Sequence, residues 1–236
     1  MSETTVRRNG QGGPPLGVLG VVFTVLFLAG IIVSTIMAGG ATFPSPFGDG
    51  VVDYFRENGN AVAVTGFLQF AASVPLAVYA ATASARLHNL GVRAPGAVIA
   101  LTGGALASVM LTMSALFSWT LSRPEVIAEP GVVRALHFLA FAAGGVGHVV
   151  FLGLLIAGVA VPGWLAGLLP RPFALAGLVI AVVAELTTLV IPLTGLAVLL
   201  PVARFGGMAW LVAAGFLLPR TRTRGNGRPT VTKETP

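Results

Sequence analysis

Glu185 and Arg204 are the two ionisable residues, histidines aside, that fall within the long uncharged stretches of this chain. A charged side chain at the centre of a membrane helix costs about 2.5–3.5 kcal/mol on insertion scales, so such residues face a partner or water. The two flank Pro192-Leu193-Thr194-Gly195, and their midpoint falls within that turn. At a rise of about 1.5 Å per residue, an antiparallel hairpin holds both side chains at one depth, roughly 10–14 Å below the turn. An ion pair between Glu185 and Arg204 is therefore expected. If Pro201 instead opens the last helix, Arg204 lies shallower and snorkels to the surface.

The same arithmetic brings further polar groups to that depth: Ser34, Gln69, Ser114 and His137, one from each of the other spans. The expected chemistry is a polar cavity open to the outside. Arg204 and His137 would bind a small anionic or zwitterionic ligand there, and Glu185 would exchange a proton. The competing reading is structural: the ion pair fixes the register of the hairpin, and the hydroxyls bond back to their own helices.

His148 follows His137 by eleven residues, about 20° from full turns of a helix, which puts both imidazoles on one face about 16 Å apart. Haem held between histidines of facing helices is excluded, because the third histidine, His88, lies in a loop. Zinc is excluded as well, since neither histidine has a carboxylate at ligand spacing. His148 is read as a hydrogen-bond donor between helices. The chain has no cysteine, which removes disulfides and thiolate chemistry. It also lacks Gly-x-Ser-x-Gly, a phosphate-binding loop and a dinucleotide fingerprint. No catalytic constellation, metal site or cofactor is expected.

The elements that must position these residues are membrane spans. From Arg8 to Asp49, Glu57 to Arg86, Arg93 to Arg123 and Arg134 to Arg171 the chain carries no Asp, Glu, Lys or Arg. Each run exceeds the roughly 20 apolar residues that cross a bilayer. With 55% hydrophobic and 9% charged residues, the composition lies far from the about 25% charged of soluble domains. The expected fold is an all-α polytopic transmembrane bundle of six spans, near 16–39, 60–84, 95–121, 133–160, 172–192 and 196–219. Residues 1–15 form a short N-terminal segment, 16–219 the membrane domain and 220–236 a basic, disordered tail. The run from Leu16 to Ala38 is too long for a signal-peptide core and is read as a retained span.

Ten of the fourteen basic residues fall on the segments that hold the two termini and the 84–95 and 162–171 loops; Arg56, Arg123 and Arg134 fall on the alternate set. The positive-inside rule then places both termini in the cytoplasm, which an even span count also requires. The net charge of +6 thus reflects topology rather than a nucleic-acid partner. The tail from Arg220 to Lys233 is expected to lie against anionic lipid headgroups. Thirteen arginines against one lysine point to a GC-rich bacterium, hence to its inner membrane.

Asp49 to Arg56 reads as a short helix on the membrane surface, capped by Asp49, with Val51, Val52 and Phe55 on one face. Trp119, Trp164 and Tyr79 fall near span ends, where amphipathic rings favour the headgroup zone, while Trp210 is read as packing. Glycine and alanine inside the spans let helices approach closely. The fourth span, flat around Gly144 and Gly147, is the expected centre of the bundle.

Three stretches carry a family resemblance: Tyr54-Phe55 with Asn58-Gly59-Asn60, Leu169-Pro170-Arg171-Pro172, and Leu200-Pro201 with Trp210 and Gly215-Phe216. In these the chain resembles an uncharacterised family of small six-helix bacterial membrane proteins, a domain of unknown function. The resemblance implies the six-helix fold and no activity. It departs in the last helix, where Arg204-Phe205-Gly206 stands in place of the family's acidic residue. The leading functional reading is a membrane protein that binds or moves a small solute. The alternatives are a regulatory or scaffold protein acting through its loops and tail, and a membrane enzyme built on His137, Glu185 and Arg204. A homo-oligomer is compatible with all three.

Overall fold

The computed structural model describes residues 13–221. The Arg7-Arg8 segment and most of the basic tail, read above as cytoplasmic and lipid-bound, lie outside the described residues. Among the described residues the chain is helical throughout, with no strand, and six helices are long and apolar enough to span a membrane. The protein is a polytopic all-α membrane bundle.

The spans are α1 (Leu16–Met37), α3 (Gly59–Asn89), α4 (Gly96–Leu121), a fourth that joins α6 (Pro130–Phe141) through a π-helical segment (Ala142–Gly147) to α7 (His148–Leu165), a fifth built from α8 (Arg171–Leu186) and a 3-10 turn (Thr187–Val190), and a sixth in which a 3-10 turn (Thr194–Val198) leads into α9 (Leu199–Leu217). Two short helices, α2 (Val51–Glu57) and α5 (Pro124–Ile127), sit in the connections. Short connections force an up-and-down arrangement. One end of the bundle, here called distal, carries the 38–58, 122–129 and 191–198 connections; the other, proximal end carries the 90–95 and 166–170 connections. The ends of the spans differ from expectation by a few residues. The second runs to Asn89 rather than 84, because Arg86 and His88 in its last turn suit the negative end of a helix.

The spans close into a ring in chain order, with α9 returning to α1, and α7 also touches α3 and α9. Of the fourth span's most apolar stretch 56% is buried, against 33–39% for the others, which makes it the central helix. With lipid on every side, close backbone approach rather than hydrophobic collapse holds such helices together. The α1–α9 seam shows how close: a Cβ on Gly215 would stand 2.6 Å from the Gly17 nitrogen. Polar bonds cross the other seams. Ser108 Oγ donates to Ser73 O at 2.7 Å between α4 and α3, and Tyr79 Oη donates to Leu211 O at 2.8 Å between α3 and α9. Tyr79 is thus a buried inter-helix donor rather than the headgroup residue expected of it. Trp119 and Trp164 are exposed near span ends, and Trp210 stacks on Phe173 at 5.2 Å while its Nε1 donates to Phe173 O.

The short distal helix also departs from the sequence reading. Gly50, at φ 74°, precedes α2 with no side-chain cap, so Asp49 caps nothing. Val51 and Phe55 are buried against Val62, Leu121, Ile127 and Val133, so α2 plugs the end of the bundle. Its Asp53–Arg56 contact, 3.0 Å and exposed, is the one ion pair among the described residues.

Candidate functional site

A cavity of about 430 Å³ lies in the distal half of the bundle. Its walls come from the distal halves of α1, α3 and α4, the last turns of α6, the first turns of α9, and the π segment. Phe27, Ile31, Leu111, Phe141 and Leu200 make it largely apolar, and the loop Thr42–Pro46 roofs it. Phe43 fixes that roof: its ring meets His137 at 5.5 Å, Phe55 at 5.6 Å and Tyr54 at 5.8 Å. Burial in this aromatic group raises the Tyr54 phenol above its usual range, so it stays neutral.

Arg204 projects into the cavity from α9. One turn below the Leu200-Pro201 start of that helix, the side chain leans back toward the N-terminus, as helical side chains do, and so reaches toward the distal end. Its Nη2 donates to the carbonyl of Gly144 on the π segment. A π turn offsets the backbone ladder by one residue and frees carbonyls from their ordinary partners. The guanidinium carbon also stands 5.4 Å above the Phe27 ring. Its Nε is buried without a hydrogen-bond partner. Among the described residues no aspartate or glutamate lines the cavity, so none of them supplies a counter-ion to the guanidinium there.

Ser34, Gln69, Ser114, His137 and Arg204 all line this one cavity, joined by Thr35, Thr65 and Ser118. Their bonding differs. Ser34 Oγ donates to Ile31 O and Thr65 Oγ1 to Ala61 O, each back to its own helix. Ser114 Oγ instead crosses to Ala140 O at 2.9 Å, just ahead of the π segment. A Cβ on Gly144 would collide with that hydroxyl, which fixes glycine at the position. His137 is buried, with its Nδ1 unpartnered and the Pro44 carbonyl beside the ring.

Glu185 does not join them. It is exposed on α8, and its Oε1 lies 3.6 Å from where a Cβ would stand on Gly153. Gly153 follows Gly144, the partner of Arg204, by nine residues, about 13 Å along the fourth span. The expected Glu185–Arg204 ion pair is therefore not formed. The reason is directional. On antiparallel helices each side chain leans toward its own N-terminus, so Arg204 reaches distally and Glu185 proximally even where their Cα atoms share a depth.

His148 lies beneath the cavity, fully buried, with Nδ1 2.9 Å from Ala107 O on α4. A carbonyl only accepts, so Nδ1 carries the proton and Nε2, which has no partner, is the bare nitrogen. The ring stacks at 6.4 Å on Phe27, the same phenyl that Arg204 overlies. No cluster of three or more metal-ligating side chains occurs among the described residues. Sequence reading missed the roof loop, the π segment and Phe27. Roof loop and π segment carry no spacing signal, since each depends on backbone geometry that glycine and proline permit without dictating.

The arrangement can do one thing chemically: present a partly buried, unpaired cation, flanked by neutral donors and acceptors, to a guest in an apolar chamber. Comparison with known proteins adds no relative to this geometry: no family model, no curated protein and no solved structure matches the chain.

Proposed function

We propose that this multi-pass protein sits in a bacterial inner membrane and binds a small monoanionic solute in its distal cavity, with the Arg204 guanidinium as anchor. The observation that carries the reading is the missing counter-ion. Among the described residues no carboxylate lines the chamber that Arg204 faces, its one hydrogen bond goes to a backbone carbonyl, and its Nε has no partner. An arginine at this depth is costly and is retained where it meets an anion, since its planar fork matches a carboxylate or phosphate. Gln69 and Ser118 also line the chamber and bring side chains that can donate to or accept from a guest. The arginine-rich loops at the proximal end support a cytoplasmic placement of that end, which puts the cavity in the outer half of the membrane.

A membrane enzyme would need His137, Glu185 and Arg204 together as an acid–base set, and Glu185 stands apart from the other two. Binding, or binding coupled to transport, is the better supported reading.

The test is isothermal titration of the protein in phosphatidylcholine nanodiscs with acetate, lactate, chloride and inorganic phosphate. At least one monoanion is expected to bind, and Arg204→Gln to weaken it tenfold or more, about 1.4 kcal/mol. Equal binding by Arg204→Gln, or no binding of any probe, would overturn the reading.

A further inference from the structure

We infer that the anion is the head of an amphiphile, a single-chain carboxylate that reaches the cavity sideways from the lipid between α1 and α9. The inference rests on the anion-binding reading above and adds to it the ligand's class and its route. Three observations carry it.

The first is the shape of the α1–α9 seam. At its proximal end the two helices are in backbone contact, with Gly17 against Gly215 and Gly20 3.2 Å, measured from a built Cβ, from the Val212 Cα. At its distal end α1 makes at most a slight contact with the Thr194–Val198 turn. The close backbone approach along the seam thus belongs to its proximal part, and the inferred route passes between the two helices distally. Pro201 lines the cavity and is exposed, which places the inferred slot beside the start of α9.

The second is the roof. Phe43 is held by three aromatic rings over the cavity, and Phe47 by Phe138 and Phe141 at 5.5 Å each. This ordered cover lies on the aqueous side of the cavity, so the inferred route is lateral.

The third is charge and polarity. Among the described residues Arg204 is the sole arginine or lysine lining the chamber, so one negative charge is balanced and two are not. Most of the remaining wall is hydrocarbon, with Ile31 of α1 and Leu200 of α9 lining it on the two helices of the seam. A carboxylate on Arg204 with its chain running along that wall satisfies both, and each methylene withdrawn from water adds about fourfold in affinity.

The experiment is titration of the protein in phosphatidylcholine nanodiscs with acetate, hexanoate, decanoate and decanol, referred to free aqueous concentration by parallel titration of empty discs. Affinity is expected to rise at least tenfold from acetate to decanoate, with decanol failing to compete. Arg204→Lys, which keeps the charge and loses the fork, should weaken decanoate tenfold. Ala197→Trp, which fills the slot edge, should weaken decanoate and spare acetate; circular dichroism and gel filtration establish that each variant is folded. If acetate and decanoate bind equally and both depend on Arg204, the amphiphile inference falls and anion binding stands. If neither depends on Arg204, both fall. If discs doped with phosphatidylglycerol abolish decanoate binding at equal mole fraction, the head is a lipid phosphodiester, which overturns the carboxylate assignment.

Discussion

Arg204 donates through Nη2 to the carbonyl of Gly144, so the last span is tied to the π segment of the fourth by a guanidinium that lines the cavity. The contact replaces the carboxylate that would ordinarily hold a buried arginine. A carbonyl satisfies one donor and neutralises no charge, which leaves the guanidinium both anchored and available.

Because Glu185 points away, the two charges act independently. The double swap Glu185→Arg with Arg204→Glu should be no more stable than the sum of its single changes, with a coupling within about 0.5 kcal/mol. Unfolding of the four proteins in mixed micelles measures this. Recovery of stability in the swap would restore the ion pair and remove the unpaired cation.

Gly144→Ala places a methyl group against the Ser114 hydroxyl, which already donates to Ala140 O. Overpacking of this kind costs about 1–3 kcal/mol. Ser114→Gly in the same chain should relieve most of it, despite losing its own bond. Thermal unfolding of both variants tests whether α4 and the π segment meet as closely as described.

Tyr79→Phe removes the bond to Leu211 O and nothing else from a fully buried ring. Hydrogen bonds between membrane helices average about 0.6 kcal/mol in double-mutant cycles, and a loss of that order is expected. A loss several times larger would mean that α3 and α9 depend on this bond for their register.

The chain has no cysteine, so single thiols report cleanly. Gln69→Cys and Ser118→Cys should react with N-ethylmaleimide in nanodiscs, since both positions line the cavity. Ser108→Cys, locked between α4 and α3 and outside the cavity lining, should stay unlabelled. Equal labelling of all three would mean an open, loosely packed bundle.

Much of this architecture is legible in the residues themselves. Uncharged runs define the spans, and rise per residue places Ser34, Gln69, Ser114, His137 and Arg204 at the level where they line one cavity. Depth is additive along a helix, which is why counting finds it. Azimuth and lean are not, and that is where counting failed: residue spacing sets Glu185 level with Arg204, yet its carboxylate lies by Gly153 and the guanidinium by Gly144. The π segment is invisible for a related reason. Nothing in Ala142-Ala-Gly-Gly-Val-Gly147 demands an extra residue per turn; the sequence merely tolerates one, and the neighbours decide. The Phe43 roof is an irregular loop whose position is set by rings on three other elements.

The ring of spans closes where α9 meets α1, and that seam sets the order of assembly. Five spans can enter the bilayer and pair with their predecessors as they emerge, but the chamber lacks both a wall and its cation until the sixth arrives. In the finished bundle the sixth span supplies Arg204, the partner of the Gly144 carbonyl, and α9 covers the seam side of α1. The cavity is thus complete only with the last span, and a chain halted before Arg204 carries five spans and an unfinished chamber.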